Sequence, residues 1–165
     1  MRYHNVTTDD MMNGDGLRVV LWLAGCEHHC KGCQNPITWD RHDGLKVDES
    51  VENEIFTELD KDYITGITFS GGDPLATYNR KGVTKLIKKI REKYGDTKTI
   101  WVYTGYKFED VKDESLIEYI DVLVDGKFEI ENKNTELEWV GSSNQRVIDM
   151  KKTIESGEIV IYKSK

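Results

Sequence analysis

Short apolar runs alternate with longer amphipathic stretches along most of this chain. The runs are rich in β-branched and aromatic residues, which is typical of strands buried on both faces. They lie at residues 17–24, 64–69, 100–103 and 122–124. Each run is followed by glycine, aspartate or another polar residue that favours a turn or loop, so the pattern predicts four strands, each followed by a loop.

The stretches between these runs have the spacing of helices with one apolar face. Asp48 is placed to cap the first helix, and Gly95 is placed to end the second and longest one. The apolar face of the first comprises Val51, Ile55, Phe56 and Leu59, and that of the second comprises Val83, Leu86, Ile87, Ile90 and Tyr94. A shorter helix is predicted around Leu116, Ile117 and Ile120.

Repeated β-α units with right-handed crossovers predict an α/β fold with a parallel sheet. Because 165 residues cannot supply eight such units, we expect a partial, open (β/α) barrel in a single domain spanning 1–165. The polar segment 129–138 is expected to be an exposed loop, and 159–162 a last strand. Ligands of such sheets bind at the carboxyl ends of the strands.

Charge and hydropathy narrow the classes of partner. The formal net charge is -7, with no stripe of Lys and Arg interleaved with aromatic residues, so a nucleic-acid partner is not expected. No stretch approaches the ~18 consecutive apolar residues that a membrane helix needs, and no leader pattern is present. We therefore expect a cytoplasmic protein that does not bind membranes.

The three cysteines of the chain lie together directly after the first predicted strand. Cys26, Cys30 and Cys33 have the spacing C-x3-C-x2-C. Three thiolates this close can bind three irons of a cubane cluster or three positions around a zinc ion, and either arrangement leaves one position for another ligand. A zinc site would be completed by His28 or His29, which are otherwise expected to be solvated loop residues.

The ends of the later strands carry further candidates. Gly71 and Gly72 would permit a close backbone approach. Asp73 is also placed to cap a helix that begins at Pro74, and this role is compatible with a ligand site at the same turn. Asp125 and Lys127 belong either to the same mouth or to a surface turn. Trp22 and Trp101 lie within strand patterns and are predicted to be core residues.

Several sequence blocks resemble radical S-adenosylmethionine proteins, and more narrowly the family that activates the anaerobic (class III) ribonucleoside-triphosphate reductase. The resemblance covers nearly the whole chain. Besides the cysteine loop with Asn35, Thr38 and Trp39, it includes the blocks 13–16 (NGDG), 70–75 (SGGDPL), 101–107 (WVYTGYK), 122–128 (VLVDGKF) and 141–146 (GSSNQR).

This resemblance implies a [4Fe-4S] cluster on the three cysteines and S-adenosylmethionine on the remaining iron. One electron from the cluster would cleave this cofactor, and the deoxyadenosyl radical would take a hydrogen atom from a glycine of the reductase. No catalytic residue is expected beyond the cluster and cofactor ligands. The cofactor-binding residues implied are Gly71, Gly72, Asp73, Thr104, Asp125, Lys127 and Asn144, with Gln145 as a further candidate.

The implied partners are the large subunit of the reductase and an electron donor such as a flavodoxin or ferredoxin. Two alternatives are activation of another glycyl-radical enzyme, of the pyruvate formate-lyase type, and a non-catalytic zinc-binding docking module. One departure concerns Gly32, where the wider superfamily usually has an aromatic residue near the adenine. Stacking on adenine would then come from Tyr106, Trp39 or an apolar side chain.

Overall fold

A computed structural model describes residues 1–164, which are built around one open, seven-stranded sheet. The strands are β1 (Arg2–Asp10), β2 (Arg18–Leu23), β3 (Leu45–Lys46), β4 (Gly66–Gly71), β5 (Thr99–Tyr103), β6 (Val122–Asp125) and β7 (Arg146–Asp149). Their order across the sheet is β3-β1-β2-β4-β5-β6-β7. The α/β class and the four predicted parallel strands are confirmed.

The edges of the sheet differ from the prediction. β2, β4, β5 and β6 are parallel, but β1 pairs antiparallel with β2, β3 with β1, and β7 with β6. The prediction of a wholly parallel sheet is therefore wrong, because the sheet contains both parallel and antiparallel pairs. The 11–17 turn between β1 and β2 is too short for a parallel crossover, so it returns the chain antiparallel and explains the β1–β2 pairing.

The α-helices are α1 (Glu49–Leu59), α2 (Thr77–Tyr94), α3 (Phe108–Val111) and α4 (Met150–Ser156). As predicted, the Asp48 side chain accepts a hydrogen bond from the Val51 N–H, and Gly95 ends α2. The helix expected at Pro74 begins three residues later, at Thr77. Asp73 does not cap it, because this carboxylate accepts from the Leu75 N–H in the preceding turn.

Two other predicted elements differ in the structure. The prediction of a strand at 159–162 is wrong, because within that segment only Ile161 forms a bridge, an isolated one with Ile148. The short helix near Leu116 is a single 3-10 turn, Ile117–Tyr119. Segment 129–138 is exposed as predicted, apart from a half-buried Asn134, and contains one 3-10 turn, Ile130–Asn132.

Apolar side chains cover both faces of the sheet. The larger core packs α1 and α2 against β2, β4 and β5, and the smaller one surrounds Trp101 with Trp139 and Tyr162. Trp101 is fully buried, as predicted. Within residues 1–164, none of the helices has the length and apolar character needed to cross a membrane.

Candidate active site

A cavity of about 540 Å³ lies at the carboxyl ends of the four parallel strands. Its size is in the ~300–1,000 Å³ range of small-molecule sites. All three cysteines line it, together with Gly71 and Gly72 after β4, Thr104 after β5 and Lys127 after β6. The predicted convergence of the strand ends on one mouth is confirmed.

The cysteine loop begins where β2 ends, and backbone hydrogen bonds attach it to two neighbouring segments. The Gly25 N–H donates to the Thr38 carbonyl (2.7 Å), and the Cys26 N–H donates to the Trp39 carbonyl (3.1 Å). The Gly25 carbonyl accepts from the Asp73 N–H at 2.7 Å. The loop is therefore held both by its own returning chain and by the end of β4.

Cys26, Cys30 and Cys33 are free thiols, and each is half-buried. The Cys33 sulfur accepts a hydrogen bond from the Asn35 N–H at 3.4 Å. Within residues 1–164, no group of three or more His, Cys, Asp and Glu side chains is arranged to hold a metal ion. Three thiols that share one cavity still match the donor set of an iron-sulfur cluster, whose ligands are cysteine thiolates.

Burial makes two of the three thiols harder to deprotonate. It raises the pKa of Cys26 to about 11 and also raises the pKa of Cys30. For Cys30, the Phe128 N–H and the Lys127 ammonium act in the opposite direction. A buried thiolate needs a positive charge beside it, and bound iron would supply that charge.

Gly71 and Gly72 allow two strand ends to approach closely. Gly71 has a φ of +96°, and a Cβ placed there would lie 2.5 Å from the Leu23 nitrogen. A Cβ on Gly72 would lie 2.3 Å from the Gly25 carbonyl oxygen. Gly71 thus lies against β2 at Leu23, and Gly72 lies against the start of the cysteine loop at Gly25. An approach of this strand end to a ligand stays a prediction.

Asp73 is buried beneath this cavity and accepts hydrogen bonds from several elements. Its carboxylate accepts from the Thr104 hydroxyl at 2.9 Å and from the Gly105 N–H at 2.9 Å. His28 Nε2 lies 2.6 Å from Asp73 Oδ2, so the expectation of a solvated His28 is wrong. His29 is exposed, as expected, and stacks on Trp39.

The remaining predicted cofactor residues surround a second, adjoining cavity of about 530 Å³. Asp125, Lys127 and Asn144 line it, and Lys127 belongs to both cavities. The Asn144 side-chain amide donates to the Lys127 carbonyl. Gln145 lines the first cavity, and its amide donates to the Gly126 carbonyl.

The Asp125 carboxylate already has partners within the protein. It is 1% exposed, accepts from Arg146 Nε at 2.9 Å, and accepts from the Phe108 N–H at 2.7 Å. Arg146 also contacts the exposed Glu109. Sequence reasoning placed Arg146 only within a polar block, because the ion pair joins residues 21 positions apart.

This pairing leads to a stability prediction. Replacing Asp125 with alanine removes the acceptor of a guanidinium and of a backbone N–H, so we expect the free energy of unfolding to fall by about 2 kcal/mol. Urea unfolding of the metal-free protein measures this loss. The control is Glu109→Gln, which removes only the exposed partner of Arg146 and should cost less than about 1 kcal/mol. Equal losses in both variants would contradict the buried pairing.

Aromatic side chains form much of the first cavity, and most were not predicted there. Trp22 was expected in the core, but it lines the cavity and donates from Nε1 to the Thr7 hydroxyl. Tyr103, Phe128 and Trp139 line it as well. Tyr103 and Phe128 had a sequence signal, since they belong to the 101–107 and 122–128 blocks, whereas Trp139 had none.

The structure also accounts for the glycine before the third cysteine. Gly32 has a φ of +76°, and a Cβ on it would lie 2.5 Å from Ile130 Cδ1. A side chain at position 32 would displace the end of the Ile130 side chain, and the positive φ itself favours glycine. Of the two named candidates for adenine stacking, Tyr106 lines the second cavity, and Trp39 packs on His29.

Comparisons with known proteins agree with this geometry. Residues 12–148 match the 4Fe-4S single cluster domain family. The anaerobic ribonucleoside-triphosphate reductase-activating protein of Enterobacteria phage T4 is 42% identical over 147 residues, which cover 89% of this chain and 93% of the phage protein. The proteins of the same name from Vibrio cholerae and Escherichia coli K12 are each 40% identical, over 88% and 89% of this chain and 96% and 97% of their own lengths.

The family match includes the cysteine loop and all four parallel strands, and the relatives are covered almost end to end. The chain therefore belongs to the 4Fe-4S single cluster domain family and, within it, to the family of anaerobic ribonucleoside-triphosphate reductase-activating proteins.

Proposed function

We propose that this protein activates an anaerobic ribonucleoside-triphosphate reductase by reductive cleavage of S-adenosylmethionine at a [4Fe-4S] cluster. The observation that carries the proposal is the cavity in which three free cysteines meet the Gly71–Gly72 strand end. Relatives at about 40% identity bear the name of this activating protein. Bound together, cluster and cofactor supply a deoxyadenosyl radical that takes a hydrogen atom from a glycine of the reductase.

In this proposal, Cys26, Cys30 and Cys33 hold the cluster. The cofactor occupies the two adjoining cavities, against the β4, β5 and β6 ends. The residues assigned to it are Gly71, Gly72, Asp73, Thr104, Asp125, Lys127 and Asn144. No side chain is assigned a catalytic role beyond holding cluster and cofactor.

The contacts within the protein divide these residues into two groups. Asp73, Thr104 and Asp125 have buried side chains that already hydrogen-bond to other residues, so they shape the cavities from behind. The Lys127 side chain is exposed at the boundary of both cavities and is free to face an anionic group such as a carboxylate. Trp22, Tyr103 and Phe128 add apolar surface that displaces water from the radical chemistry.

The proposed partners are the large subunit of the reductase and an electron donor such as a flavodoxin or ferredoxin. The proposal includes a single domain spanning 1–165, an open sheet that curves into a partial barrel, and a cytoplasmic location. A mouth open at the strand ends would suit a polypeptide substrate, because the glycine must come within van der Waals reach of the radical.

Anaerobic reconstitution with iron and sulfide tests the proposal. We expect about four irons per chain, a reduced-cluster electron paramagnetic resonance signal that changes on adding S-adenosylmethionine, and release of deoxyadenosine. Adding the reductase should then produce a glycyl radical, whereas pyruvate formate-lyase should remain without one. A colourless protein with one zinc per chain and no deoxyadenosine would contradict the proposal and favour a docking module.

A further inference from the structure

His28 lies inside the cysteine loop, between two of the three thiols, yet its side chain points into the protein. The side chains of His28 and Asp73 are only 7% and 2% exposed, and their nitrogen and oxygen lie 2.6 Å apart. Residues 26–33 otherwise form an irregular loop without a helix or strand. This contact therefore connects the middle of the loop with the sheet beneath it.

The Asp73 carboxylate is fully engaged at this position. Besides His28, it accepts from the Leu75 N–H, the Thr104 hydroxyl and the Gly105 N–H, all between 2.8 and 3.1 Å. A carboxylate offers about four acceptor positions, so these four donors occupy it. The donors come from the β4 end, the β5 end and the cysteine loop, and Asp73 joins these three segments.

Packing restricts the imidazole ring from two further sides. A Cβ on Gly105 would lie 2.4 Å from His28 Cδ2, so this close contact requires a glycine at position 105. The Tyr106 ring meets His28 edge to face, with ring centroids 4.7 Å apart. The ring thus occupies one site on the β5 end, and a shift of the ring would shift the loop that carries Cys26 and Cys30.

We propose that His28 is a positioning residue: its hydrogen bond to Asp73 holds the cysteine loop on the ends of β4 and β5 and so sets where the thiols stand. This role rests on the proposed function only where it concerns the cluster. Its effect on the loop itself is a property of the metal-free protein. Asp73 then acts as the acceptor of this clamp rather than as a free ligand-binding carboxylate.

Three variants separate the hydrogen bond from mere bulk at this position. His28→Leu removes the polar contact, and His28→Gln retains an N–H donor that can reach Asp73. His29→Asn is the matched control, because His29 lies in the same loop but is exposed and stacks on Trp39, and asparagine tolerates its φ of +47°.

The first measurement uses metal-free protein. At constant pH, alkylation of the three thiols should be at least about 10-fold faster in His28→Leu than in wild type, because the loop leaves the sheet. His28→Gln and His29→Asn should alkylate at the wild-type rate. The second measurement uses reconstituted protein, in which His28→Leu should lose iron to a chelator about 10- to 100-fold faster and show a shifted reduction potential, with recovery in His28→Gln.

Equal alkylation of His28→Leu and wild type would overturn the proposal. So would a folded His28→Gln that is as impaired as His28→Leu, because the hydrogen bond would then not be what matters. Should His28→Leu fail to fold, His28→Asn, whose amide is too short to reach Asp73, replaces it. Wild-type protein that takes up no iron would refute the proposed function instead, and the alkylation result would still decide the role of His28.

Discussion

Replacing Cys26 with alanine is expected to reduce both the iron content and the formation of deoxyadenosine to background, and activation of the reductase with them. In the proposed cubane each thiolate would bind a different iron, so losing one would remove a protein ligand that neither of the other two cysteines can replace. The same result is expected for Cys30→Ala and Cys33→Ala. Iron analysis, electron paramagnetic resonance and chromatography of deoxyadenosine after anaerobic reconstitution measure it.

A serine at position 26 separates loss of a ligand from loss of packing. Cys26→Ser keeps the shape of the side chain and should be as inactive as Cys26→Ala, because a hydroxyl is a poor substitute for a thiolate on iron. Since Cys26 is only half-buried, both variants should unfold in urea within about 1 kcal/mol of metal-free wild type. Full activity in any of the three alanine variants would refute the three-ligand assignment.

Replacing Gly72 with alanine is expected to destabilise the metal-free protein by about 3 kcal/mol and to prevent normal iron uptake. The added Cβ would lie 2.3 Å from the Gly25 carbonyl oxygen, which is backbone and cannot rotate away. That carbonyl also accepts the hydrogen bond from the Asp73 N–H. The cysteine loop must therefore move away from β4, so stability and the cluster are lost together.

The control for this substitution is Gly157→Ala, at the end of α4. Gly157 has a φ of +74°, but a Cβ there meets nothing within 4 Å, so only the backbone strain of about 1 kcal/mol is expected, with normal iron uptake. Urea unfolding and iron analysis of both variants give the comparison. A Gly72→Ala protein that is no less stable than Gly157→Ala and binds its full iron would show that the contact at Gly72 can relax.

Local patterns predicted the elements that depend on nearby residues. Short apolar runs predicted the four parallel strands, Asp48 predicted the start of α1, and Gly95 predicted the end of α2. The edges of the sheet were missed because their sequences are weaker. β1 carries polar residues at most of its nine positions, and β7 has only four residues, of which the first, Arg146, belongs to the polar 141–146 block.

The candidate site likewise has a part that local sequence patterns predicted and a part that they did not. Cysteine spacing predicted the candidate metal ligands without a structure, because the three residues lie within eight positions and their chemistry is specific. The Gly71–Gly72 pair was also recognisable, since glycine at a strand end signals a close approach. Spacing could not show that Trp22 faces the cavity, because a strand pattern does not say which layer covers each face.

By itself, the sequence determined the cysteine triad, the repeated strand and helix units and the family to which the chain belongs. Each of these depends on residues that are close together in the chain or on sequence blocks in a fixed order. Only the tertiary structure decided that His28 pairs with Asp73, that Arg146 pairs with Asp125, and that Ile130 packs against Gly32. Those contacts join residues 45, 21 and 98 positions apart. The physical reason is that polar groups and side-chain volumes are matched across strand ends, which come together only once the sheet has formed.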